Sequence, residues 1–88
     1  MKIKPDYILR EVVDYYVVIG AGADAYRPNE ILSLNETGAF LWKILEGGAA
    51  KQDLIDQLVL EYEVDEETAS KDVEAFLDQL RRNSMIIE

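Results

Sequence analysis

The chain has 88 residues, 49% of them apolar, and 18 acidic side chains against nine basic ones give it a formal net charge of −9. A chain this short encloses one modest core, so a single domain over residues 1–88 is expected, without a deep enclosed active site. The absence of cysteine and histidine excludes disulfides, thiolate nucleophiles, zinc sites with their usual nitrogen and sulfur ligands, and histidine-based triads.

The acidic field repels phosphate backbones and anionic lipid, so neither nucleic acid nor a membrane surface is an expected partner. It also serves solubility, and by itself names no partner. The start MKIKPDYI has no apolar run of signal-peptide length, and no window approaches the roughly 20 apolar residues that span a bilayer. A cytoplasmic location is the expectation.

In chain order, the first third is rich in Val, Ile and Tyr and broken near Asp14, which predicts three short antiparallel strands over 8–12, 15–19 and 30–34. The segment GAGADAYRPN between the last two carries glycine, proline and asparagine where a hairpin loop needs them. Its glycines have a turn role and not that of a phosphate cradle, because no helix follows them directly. Within 31–34, alternation of period two runs straight into helical spacing at Phe40, Leu41, Ile44 and Leu45, with Asn35 at the changeover.

Asn35 as N-cap, Glu36 in the first turn and Gly47-Gly48 as a stop predict a first helix over 36–46. Leu54, Ile55, Leu58, Val59 and Tyr62 predict a second over 51–62, poorly capped because Ala49 and Ala50 precede it. Asp65 caps a third helix whose apolar stripe is Ala69, Val73, Phe76, Leu77 and Leu80, with Arg81 and Arg82 at its C-terminal end. The tail Met85-Ile86-Ile87 is apolar enough to pair or pack. The fold class expected is therefore α+β: a winged helix-turn-helix-like domain, with a three-stranded antiparallel sheet followed by three helices.

Winged helices have two common uses. Duplex reading requires cations on the last helix, but Glu66, Glu67, Asp72, Glu74 and Asp78 outnumber Lys71, Arg81 and Arg82, and that helix is repelled from the groove. The carboxylates from Glu61 to Glu67 lack the alternating ligands and turn glycine of a calcium loop and read as caps and a solvated face. Trp42, beside Leu41 and Ile44, reads as a core or rim residue. No carboxylate pair, nucleophile or cofactor motif is found, so catalysis by this chain and a bound cofactor are not expected. The second use is peptide capture, in which an extended peptide completes an exposed sheet edge as an added strand. Such an edge is also able to pair with a second copy of the chain.

The stretches ILSLNETGAFLWKILEGG and DLIDQLVLEYEVDEETASKDVEAFLDQLRRNSMI are similar to the PqqD family of precursor-peptide recognition elements, most specifically in LNETG at 34–38 and DVEAFLDQL at 72–80. One departure is Ala50, where relatives often cap the second helix with threonine. The resemblance implies a non-catalytic adaptor, or peptide chaperone, whose third strand receives the leader segment of a ribosomally made precursor and whose third helix lines the groove. It also implies delivery to a maturation enzyme, often a radical S-adenosylmethionine enzyme, in pyrroloquinoline quinone biosynthesis or another peptide pathway. Carried onto this sequence, the accepting edge is Glu30, Ile31, Leu32 and Ser33. On the third helix, projection at 100° per residue leaves Thr68, Asp72, Ala75 and Gln79 as the smaller, less charged flank. Asp72, Ala75, Phe76 and Gln79 are therefore expected to line the groove. A winged-helix regulator or an accessory protein-interaction domain is the alternative.

Overall fold

The computed structural model describes residues 1–5, 7–20 and 32–88. Its elements run β1 (Lys2–Ile3), β2 (Tyr7–Val12), β3 (Tyr15–Gly20), β4 (Leu32–Leu34), α1 (Glu36–Glu46), α2 (Lys51–Tyr62), α3 (Glu66–Arg82) and β5 (Ile86–Ile87). Strands β2, β3 and β4 form an antiparallel sheet in that order, with Val12 opposite Tyr15 and Val17 opposite Ser33. The α+β architecture of three strands and three helices is as the sequence predicts, except that β1 and β5 pair as a separate two-stranded ribbon. The expected third strand is described from Leu32 onward; Glu30 and Ile31 lie outside the described residues.

Each helix forms where its caps direct. The Asn35 side chain accepts a hydrogen bond of 2.8 Å from the Gly38 N–H, satisfying one of the donors that a helix start leaves open. At α2 only the reciprocal half of a capping box exists: Asp53 accepts from the Ala50 N–H at 3.0 Å, while alanine has nothing to return. Asp65 caps α3 by accepting from the Thr68 N–H at 2.7 Å. Hydrogen bonding from the Thr68 side chain, and then from its backbone, holds the Asp65 carboxyl below its ordinary range. Glu63, at the end of α2, takes the left-handed conformation with φ 52°, turning the chain toward α3 without a glycine.

The core lies between the sheet and the helices. Val73, Leu77 and Leu80 of α3, Leu54 and Leu58 of α2, Leu41, Trp42 and Leu45 of α1 and Val18 of β3 are all at most 1% exposed. Full burial of each large aliphatic side chain contributes about 1.5 to 3 kcal/mol. Trp42 is a core residue and not a surface anchor; its ring meets Tyr7 edge-on at 6.3 Å. The ribbon of β1 and β5 closes one end of the core: Lys4 donates to the Met85 carbonyl, and Met1 and Ala49 exchange hydrogen bonds of 2.8 Å. A Lys51–Glu74 ion pair ties the start of α2 to the middle of α3.

Candidate functional site

Strand β4 has β3 on one side and, among the described residues, no strand on the other. Period-two alternation sorts its side chains: Leu32 and Leu34 are 7% and 5% exposed and belong to the core, whereas Ser33 faces solvent. Asn35 then ends the strand and starts α1 in a single residue. Immediate capping keeps the first turn of α1 beside the strand end.

A cleft of about 300 Å³ opens beside this junction. One wall is Ser33 and Leu34 of β4, the cap Asn35, and Thr37, Gly38 and Leu41 of α1; the other is Asp72, Ala75, Phe76 and Gln79 of α3. Gly38 has a steric role here. A Cβ at that position would lie 3.3 Å from both Asn35 Oδ1 and Leu34 Cδ2, so a side chain would press on the cap and on the strand end together.

The α3 wall follows from its helical phase. Val73, Leu77 and Leu80 turn wholly inward and Phe76 is 6% exposed, which leaves it between core and cleft. Asp72 and Ala75 are exposed and Gln79 half-buried. Of the residues proposed from sequence, Ser33, Asp72, Ala75, Phe76 and Gln79 line the cleft together, while Leu32 is held in the core and absent from the lining. Any contact of Leu32 with a ligand would run through its backbone. Leu34, Asn35, Thr37, Gly38 and Leu41 were not expected at the site. Their signal in the sequence is the LNETG stretch, there read as a cap and a family mark but not as a wall.

The chemistry of the lining is that of a binding surface. Leu34, Leu41 and Phe76 supply apolar contact, Ser33, Thr37, Asn35 and Gln79 supply neutral polar groups, and Asp72 supplies the charge. Among the described residues, the lining pairs no nucleophile with a general base, and no group of three Asp or Glu is placed to hold a metal ion. An exposed strand edge with an apolar-floored cleft beside it suits an extended chain, whose backbone pairs with the edge while alternate side chains enter the cleft.

The comparisons with known proteins agree with that geometry. A family model described as coenzyme PQQ synthesis protein D (PqqD) matches residues 16–86. The chain belongs to the PqqD family. The PqqD match begins inside β3 and takes in β4 and all three helices, so both walls of the cleft lie within it, while β1 and β2 precede it. The fold is shared with two solved structures. One is TbiB1 in complex with the TbiA(beta) leader peptide, with a TM-score of 0.75 and 25% identity, covering 97% of this chain and 93% of that one. The other is lasso peptide synthetase B1 complexed with the leader peptide, with a TM-score of 0.74 and 25% identity, covering 99% and 96%. No curated protein matches the chain. Among the described residues, no helix is long and apolar enough to cross a membrane.

Proposed function

We propose that this chain is a non-catalytic adaptor that captures the leader segment of a ribosomally synthesised precursor peptide and presents it to a modifying enzyme. The leader adds as a strand to the open edge of β4 and places alternate side chains in the cleft against α3. The observation that carries this reading is the joint lining of one cleft by a helix flank and by a strand end that has no second partner strand among the described residues. Membership of the PqqD family and the likeness to two leader-peptide complexes support it. Ser33 and the backbone of Leu32, with Glu30 and Ile31 preceding them, form the accepting edge, and Asp72, Ala75, Phe76 and Gln79 form the facing wall. The modifying enzyme is a radical S-adenosylmethionine enzyme or another peptide maturase, and the complex works in the cytoplasm. Duplex reading is not favoured, because the acids of α3 outnumber its bases along the whole helix.

Titration of isotope-labelled protein with the leader peptide of a precursor encoded beside it tests the reading. Backbone amide shifts at Leu32, Ser33 and along residues 72–79 are expected. Shifts confined to other surfaces, or none, would overturn it. The same edge is open to a second copy of the chain, and a concentration-dependent mass that leader peptide abolishes would mark β4 as a shared dimer edge.

A further inference from the structure

The charges of α3 are distributed unevenly around the cleft. Glu67 pairs with Lys71 at 3.5 Å, Glu74 with Lys51, and Asp78 with Arg81 at 3.1 Å. Asp72 is exposed, lines the cleft, and makes no hydrogen bond or ion pair among the described residues. Among the described residues of the lining it is also the charged member, and none of them is lysine or arginine. The start of α1 on the opposite wall does not offset it: the Gly38 N–H is already taken by Asn35, and Glu36 adds a further acid to that turn. A peptide entering the cleft meets a negative point, next to the apolar surface of Phe76, in a molecule of formal charge −9.

We infer that the leader segment this cleft selects carries a lysine or arginine against Asp72 and an apolar side chain against Phe76, two residues apart. The inference rests on the strand-addition reading above. Its spacing comes from geometry for a peptide lying along α3: Phe76 is four positions beyond Asp72, about 6 Å along the helix axis at 1.5 Å per residue. An extended peptide advances about 6.6 Å between side chains on the same face. Cation and apolar anchor therefore occupy positions i and i+2 on the face that enters the cleft, and the residue between them points away. The Asp72 contact selects among leaders, whereas backbone pairing along β4 is indifferent to their sequence.

The probe is a displayed library of random peptides, selected against the wild-type protein and against Asp72→Lys, with binders mapped by amide shifts. Asp72 is exposed, so both proteins are expected to fold alike, and a melting curve checks that. Expected for the wild type is enrichment of Lys or Arg two positions from an apolar residue in peptides that shift Ser33 and the α3 flank. Expected for Asp72→Lys is replacement of that cation by Asp or Glu. Replacing the cation by alanine in a selected peptide should weaken wild-type binding about two- to fivefold, the range of an exposed ion pair. Cleft-binding peptides with no cation preference, or with one that Asp72→Lys leaves unchanged, would overturn this inference and leave strand addition standing. Should no selected peptide shift Ser33 or the α3 flank, both would fall.

Discussion

The two walls of the cleft use the same helical and strand geometry for opposite ends. On the β4–α1 side, Leu34 and Leu41 are 5% and 0% exposed, and a cap and a glycine fix the turn between them. On the α3 side, Asp72 and Ala75 stand in solvent on a helix whose inner face is wholly buried. The first wall is part of the hydrophobic core and sets the shape of the cleft. The second, apart from Phe76, which it shares with the core, is a surface flank on which side chains change at little cost to folding. Shape and selectivity are thereby separated: the wall that stability holds constant is not the one that meets the peptide's charge.

Substitutions on either wall are ways to test that separation. Leu41→Ala should have the largest effect, a loss of about 2 to 5 kcal/mol in folding stability measured by denaturant unfolding, because it empties a fully buried site. A loss under 1 kcal/mol would mean that the first wall is not core. Ala75→Trp should leave the melting temperature unchanged while filling the cleft, and should weaken leader binding by about tenfold or more in a titration, the scale of 1.4 kcal/mol. A stability loss comparable with that of Leu41→Ala would erase the difference between the walls. Asn35→Ala should cost about 1 kcal/mol through the lost cap, and should also broaden the Gly38 and Ser33 amide signals if the cap holds the junction in place.

The smallest effect concerns the anchor of the second wall. Asp65 is depressed in the folded state by its hydrogen bonds from Thr68. Its stabilising contribution is therefore complete above the unfolded carboxyl value, near 3.8, and is lost as the pH falls through the lower folded value. Asp65→Asn keeps a capping side chain that does not titrate. The melting-temperature advantage of wild type over Asp65→Asn should be constant near neutrality and shrink in acid below about pH 4. An advantage that grows in acid would contradict the cap.

The helices could be read from the sequence almost residue by residue, because Asn35, Gly47 and Asp65 are local signals that act on their immediate neighbours. The α3 flank was legible for the same reason: phase along one helix follows once its buried stripe is known. What was not legible depends on distance. β1 is two residues long and pairs with β5 from the opposite end of the chain, Ile3 against Ile86, and nothing local to KI foretells that. Likewise Leu34, Thr37 and Leu41 carry every mark of core and cap residues. Only the approach of α3, far away in sequence, makes them a wall. Leu32 illustrates the converse: the strand's own alternation sends its side chain inward, so its place on the edge is one for its backbone alone.

The chain's single tryptophan gives it a built-in optical reporter of one event only. Trp42 is 0% exposed, its Nε1–H has no hydrogen-bond partner among the described residues, and it does not line the cleft. An indole in so apolar a setting should emit at short wavelength and shift to the red when water reaches it. Its fluorescence would then follow unfolding while staying almost indifferent to cleft occupancy, so stability and binding could be read in one cuvette without confusing them.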